Sequence, residues 1–335
     1  MSEVKYYFCD ELNNVLSCFH DRIMSCCTGQ MGPTYIEGYK GEKIDWEAFK
    51  KVKEDAFKLL NSNDIDKTPC KGCFYLRERK ETDVVSPTFK EINVSHWTQC
   101  NCGCIYCARM YHSKGKIAHW SSKSKYYDFL PVLKALYQNE LLDREKLFVT
   151  IQGGDISVLK EFPAIFKEFQ KNGYLAFFIF SNNIVYQPLI KKLMDETPYV
   201  LSFTTSLDAG CRETYKKIKR VDKFNDCIKN LRRYMKDNEK AKVIVKYILV
   251  ENINDNVEEI TKFINLMSEI GVKMVEFAID HKWTLFTNLD EHQFPKHYGD
   301  LYLTFKNLAE EKGLQFQIWP KAEHIIKKYA LNEEN

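Results

Sequence analysis

The stretch Cys100-Asn101-Cys102-Gly103-Cys104-Ile105-Tyr106-Cys107 directly follows a β-branched, partly apolar run at 92–98. Three of its cysteines, Cys100, Cys104 and Cys107, are spaced C-x-x-x-C-x-x-C. Three thiolates on a four-iron cluster leave one iron without a protein ligand and open to a small molecule, so such a cluster is reactive rather than purely electron-carrying. The thiolates must converge within a few ångströms, which a tight loop containing Gly103 achieves and a helix does not. A register through Cys102 would shorten the first gap to a single residue, so Cys102 is read as a bystander thiol. A zinc site is the alternative, although zinc motifs more often pair two C-x-x-C knuckles.

Outward from this loop the chain repeats strand and helix. Short β-branched or aromatic runs at 92–98, 147–152, 175–180, 200–205, 243–250 and 274–279 are each followed by a polar turn. Between them lie amphipathic helices. The clearest are 224–235, with Phe224, Cys227, Ile228, Leu231 and Tyr234 on one stripe, and 257–270, with Ile260, Phe263, Ile264 and Met267 on another. Cys227 therefore reads as a core residue. Strands joined by crossover helices imply a parallel α/β sheet, doubly wound or curved into a partial barrel, and periodicity does not choose between them. The expected division is a cysteine-rich module over 1–80, an α/β domain over 88–282 and a C-terminal extension over 283–335 that packs on it. Asp45 is the expected N-cap of a helix over 46–60, and the charged stretch 77–87 is the expected linker.

The loop and the strand ends that follow it resemble the radical SAM (S-adenosylmethionine) superfamily. Its signature is C-x-x-x-C-x-aromatic-C after the first strand of a partial (β/α)6 TIM-type barrel, and Tyr106 takes the aromatic position. The resemblance covers roughly 91–280. It implies a 4Fe-4S cluster on Cys100, Cys104 and Cys107 whose open iron chelates SAM. One-electron reduction then breaks the sulfonium, and the 5′-deoxyadenosyl radical abstracts hydrogen from a substrate. Gly153-Gly154-Asp155 is similar to the family's Gly-Gly-Glu motif, which receives the methionine amino group, with Asp one methylene shorter. Ser181-Asn182-Asn183 and Ser206-Leu207-Asp208 stand at positions from which relatives touch the ribose and methionine ends of SAM, and Lys246, which matches the branch with auxiliary clusters, is read with them as cofactor-binding. The stretch Ser206–Arg220 and Asn254-Asp255-Asn256 resemble the branch with auxiliary clusters. All these motifs fall at C-terminal strand ends, where sites in parallel α/β folds form.

Ahead of the barrel, Cys9, Cys26-Cys27, Cys70 and Cys73 resemble the SPASM module, which holds an auxiliary 4Fe-4S cluster and ordinarily follows the barrel. Either Cys26 or Cys27 is the ligand. A structural zinc on that cysteine, Cys70 and Cys73 is the alternative. The 49 basic and 46 acidic side chains are dispersed and leave a net charge of +3, which gives no support to nucleic-acid binding. No run approaches the roughly 20 apolar residues that cross a bilayer, and the start Met-Ser-Glu-Val-Lys does not read as a secretory signal. A cytoplasmic location follows, where 12 cysteines point to cluster or metal ligation rather than disulfides. The resemblance further implies a flavodoxin or ferredoxin as reductant. A sugar-like small molecule is the favoured substrate, with peptide or protein modification as the alternative. A non-enzymatic iron-sulfur or zinc protein is the reading outside catalysis.

Overall fold

The computed structural model describes residues 6–20, 22–25, 35–37, 45–62, 68, 70–71, 73–107, 127–172, 176–196, 201–236, 242–284 and 294–332. The chain divides into two compact units, one of residues 1–99 and 123–178, the other of residues 100–122 and 179–335.

In the first unit, β1 (Tyr7–Cys9) pairs antiparallel with β5 (Leu76–Glu78), so part of the expected linker is a strand. Asp10 and Asp83 both bind the Arg77 guanidinium, at 2.8 and 2.6 Å, and fix this ribbon. The strands β2 (Val15–Phe19), β6 (Glu91–Ser95) and β7 (Phe148–Ile151) run parallel, with Val15 opposite Glu91 and Glu91 opposite Phe148. β3 (Arg22–Met24) and β4 (Tyr35–Glu37) continue from β2 antiparallel. The N-terminal residues thus extend the same sheet that carries β6. The helix Trp46–Leu60 begins where the Asp45 carbonyl accepts from Phe49 N, and buries Phe49, Ala56, Phe57 and Leu60. Ala56, Phe57 and Leu60 form a small core with Phe8 and Leu12. Cys18, on β2, is a buried core residue whose thiol burial raises far above its ordinary pKa.

The second unit is built on β9 (Leu201–Ser206), β10 (Lys242–Leu249), β11 (Met274–Ile279) and β12 (Gln315–Ile318), all parallel. β8 (Ala176–Ser181), which ends in this unit, flanks β9. Alternate residues face opposite sides of the sheet. Tyr247 packs on Phe263 of the helix Val257–Ile270 and on Phe305 of the helix Tyr298–Glu311, and Phe277 on Tyr302 and Phe305. Lys246 and Ile248 therefore lie on the other face. Asn256 caps the helix Val257–Ile270 by accepting from Glu259 N, and Gly271 ends it with φ +85°. The helix Phe224–Met235 buries Phe224, Cys227, Leu231 and Tyr234, the stripe expected from its sequence. Among the described residues, no helix is long and apolar enough to cross a membrane.

Candidate cofactor site

The cysteine loop is held by the C-terminal end of the helix Arg212–Lys219. The last carbonyls of a helix lack partners within it, and here two are taken by the loop: Gly103 N donates to Lys219 O and Ile105 N to Ile218 O, both at 3.0 Å. These bonds bracket Cys104. Cys100, Cys104 and Cys107 are partly exposed, whereas Cys102 is buried. Cys102 donates a hydrogen bond to Cys104; this bond, with the Lys219 ammonium, holds the Cys104 thiol below its ordinary pKa against desolvation. The same bond, with burial, pushes Cys102 up, so it remains a thiol. Three accessible cysteines beside a protonated fourth fit a three-thiolate cluster, which takes its ligands deprotonated. Among the described residues, no three His, Cys, Asp or Glu side chains gather as a single metal ion would require.

Tyr106 is buried within the unit, with Cys104 packed beside it. Its ring packs with Ile218, Ile248, Val250 and Ala278. Its hydroxyl donates to Asp208 Oδ2 at 2.5 Å and accepts from Lys219 Nζ. Lys219 Nζ also binds Asp208 Oδ2 at 2.5 Å, with both side chains essentially inaccessible. Desolvation would lower the Lys219 pKa, but negative charge at Asp208 and Cys104 holds it above the usual lysine range, so Lys219 stays protonated. Asp208, at φ +61°, is fixed from all sides: Oδ1 accepts from Ile248 N at 2.9 Å, and its carbonyl accepts from Asn254 Nδ2 at 2.8 Å. Asn254 also accepts from Val250 N and donates to Ile248 O, locking the turn after β10. The structure thus buries Asp208 behind Tyr106, within the support of the loop.

At the end of β8, Asn182 Nδ2 reaches Asn101 Oδ1 at 2.5 Å and Cys100 Sγ at 3.5 Å. Ser181 Oγ accepts from Asn183 N, shaping that turn. Cys227 is core, as its helical stripe implies, and its thiol meets Asn182 O. In the first unit, Gly153-Gly154-Asp155 pairs with the backbone just before the cysteine loop. Gly154 N donates to Trp97 O, Asp155 N to Gln99 O, and Trp97 Nε1 to Asp155 O. A Cβ on Gly154 would stand 1.8 Å from Gln99 O, so only glycine permits this approach. Asp155 is buried and caps the short turn Ile156–Val158 by accepting from Ser157 N at 2.9 Å.

Ser206, Lys246, Glu276 and Gln317 are register partners on β9 to β12 and form one polar row. Lys246 Nζ lies 2.7 Å from Glu276 Oε1 and over the Phe180 ring, and Gln317 donates to Glu276 Oε2 at 2.9 Å. The row shares its face with Ile248 and Ala278, on which Tyr106 packs. Sequence reasoning named Ser206, Lys246 and the run Ser181-Asn182-Asn183, but not Glu276 or Gln317, nor the contact of Asn182 with Cys100 or the role of Lys219 behind the loop. For Glu276 the available signal was a carboxylate inside the apolar run Met-Val-Glu-Phe-Ala-Ile.

Of the N-terminal cysteines, Cys9 ends β1, and its Sγ accepts from Leu12 N at 3.4 Å. Cys9 and Cys70 pack against the same small core, and Cys73 N donates to Cys70 O in a tight turn. Cys26 and Cys27 lie outside the described residues.

Residues 94–264, just over half of the chain, match the family model described as "Radical SAM superfamily". No curated protein sequence matches the chain. Among solved structures, Streptococcus suis SuiB bound to its precursor peptide SuiA is 13% identical, with a TM-score of 0.52 over 85% of this chain and 56% of that one. Native anSMEcpe with bound AdoMet is 17% identical, with a TM-score of 0.48 over 68% of this chain and 63% of that one. A radical SAM methyltransferase from Sphaerobacter thermophilus is 12% identical, with a TM-score of 0.43 over 68% and 64% of the two chains. The likeness to SuiB is one of fold, and SuiB extends well beyond the part matched.

Proposed function

The chain belongs to the radical SAM superfamily, and from that premise we propose that Cys100, Cys104 and Cys107 hold its 4Fe-4S cluster and that the protein abstracts hydrogen from a sugar-like small molecule. The observation carrying the ligand assignment is the loop itself, which leaves these three thiols accessible and buries the fourth. The cluster and SAM supply reductive sulfonium cleavage to a 5′-deoxyadenosyl radical. The chain's residues supply placement. Asn182 orients Cys100 through its amide, and the Tyr106–Asp208–Lys219 group fixes the loop from behind. Gly153 and Gly154 let the backbone lie close against Trp97 and Gln99. Ser181 and Asp155 serve SAM through the turns they shape, Asp208 through Tyr106, and Ser206 from the end of β9. The reductant is a flavodoxin or ferredoxin, and the setting is the cytoplasm, whose reducing conditions disfavour disulfides between these cysteines.

The sugar-like substrate is supported by the row Ser206, Lys246, Glu276 and Gln317, a concentrated set of donors and acceptors suited to hydroxyl groups. The partner of Lys246 in this reading is substrate as well as Glu276. Peptide modification is the second reading, favoured by the fold shared with SuiB, which was solved with its precursor peptide. For the N-terminal module we propose an auxiliary 4Fe-4S cluster on Cys9, Cys70, Cys73 and one of Cys26 and Cys27. Anaerobic reconstitution with iron and sulfide analysis tests the clusters, and mass spectrometry of sugar and peptide candidates incubated with SAM and reductant tests the substrate. Zinc without iron or sulfide would remove the enzymatic reading, and a mass change confined to peptides would replace the sugar-like one.

A further inference from the structure

We propose that Lys219 is a positioning residue for the cluster loop, and that the buried Lys219–Asp208 pair sets the reduction potential of the cluster that the loop holds. The inference rests on the assignment of the cluster to Cys100, Cys104 and Cys107. Lys219 meets the loop twice. Its carbonyl accepts from Gly103 N, and its ammonium binds the hydroxyl of Tyr106 and lies 4.9 Å from that ring's centroid. With Ile218 O on Ile105 N, the backbone on both sides of Cys104 is tied to the end of one helix. The ammonium and the Asp208 carboxylate, 2.5 Å apart and shielded from water, are the charges built in behind Tyr106.

Reduction adds one electron, and so one negative charge, to the cluster; the donor is an external low-potential one-electron reductant. A cation nearby stabilises the reduced form and an anion destabilises it, and these effects are strong where water is excluded. Lys219 and Asp208 nearly cancel. Removing either one exposes the other. Lys219→Met therefore lowers the midpoint potential and Asp208→Asn raises it, while Lys219→Met/Asp208→Asn restores it towards the wild-type value. Lys219→Arg keeps the charge and stays close to wild type.

The experiment uses the full chain, anaerobically reconstituted, titrated with titanium(III) citrate without SAM and followed by electron paramagnetic resonance. The relevant signal is the one that added SAM perturbs in a parallel sample. Opposite shifts in the two single variants, cancelled in the double variant, are the expected result. If Lys219→Met fails to fold or loses its iron, retention of iron by Lys219→Arg and the double variant, together with a raised potential in Asp208→Asn, supports the same conclusion. Shifts of one sign in both single variants, or unchanged potentials in variants that keep their iron, would overturn it. Iron loss from all the variants would also overturn it. A wild-type protein with no SAM-responsive signal would instead strike at the cluster assignment itself.

Discussion

Lys53 shows how a single residue's environment becomes a measurable property. It is 4% exposed in the helix Trp46–Leu60, and its ammonium donates to Ser86 O at 2.7 Å and to Asn13 O, over the Phe89 ring. No carboxylate pairs with it in these contacts, and burial, aided by Lys90, pushes its pKa down to about 7. An unfolded lysine titrates near about 10.4. Between these values the unfolded chain holds a proton that the folded chain has released, so stability rises with pH across the window, by at most about 1.4 kcal/mol per unit. The melting temperature of the wild type should therefore climb relative to Lys53→Met from about pH 7 to about pH 9; a constant difference would show that Lys53 titrates normally. Gly154→Ala should cost about 1–3 kcal/mol or more, because the added methyl overlaps Gln99 O and must push the backbone apart. A melting temperature within error of wild type would contradict that close approach. The cysteine spacing, the paired glycines and the core thiol Cys227 were legible in the sequence, since each declares itself through neighbours a few positions away. The contacts of Lys219 and Asn182 were not, because their partners Tyr106 and Cys100 lie far off in sequence and only the folded chain brings them together.

Elements with a strong local pattern were read close to their true limits. The helices Phe224–Met235 and Val257–Ile270 carry unbroken apolar stripes, and Trp46–Leu60 starts directly after Asp45. The N-terminal strands were missed. β2 is five residues and β3 and β4 three each, and the pairing of Val15 with Glu91 joins positions 76 apart. Such short runs carry too little alternation to stand out, and their stability comes from tertiary pairing rather than local preference. The helix Val257–Ile270 offers a test of one packing contact: a Cβ on Gly210 would lie 2.4 Å from Phe263 N and 2.5 Å from the Lys262 carbonyl carbon. Gly210→Ala should therefore displace this helix from the turn after β9 and lose about 1–3 kcal/mol, whereas Asn256→Ala, which only removes its cap, should lose about 1 kcal/mol. Thermal melts that rank the two the other way would contradict the close approach at Gly210.

Across the whole molecule, the proposed ligand assignment calls for about two 4Fe-4S clusters per chain, one in the loop and one in the N-terminal module. Alanine at Cys9, Cys70 or Cys73 should lower the iron content towards one cluster while leaving SAM cleavage by the loop cluster measurable; wild-type iron in all three variants would remove the auxiliary cluster. The α/β class and the parallel pairing of strands followed from the repeated strand and helix pattern, but the involvement of the N-terminal residues in the first unit's sheet did not, because it depends on pairing across 76 positions. The most direct measurement is 5′-deoxyadenosine released from SAM after chemical reduction, with iron determined in each protein. Wild type and Cys102→Ala should both release it, since Cys102 remains a buried thiol beside the cluster, and Cys100→Ala, Cys104→Ala and Cys107→Ala should release none. Full cleavage by Cys100→Ala together with its loss in Cys102→Ala would contradict the ligand register on which the site is built.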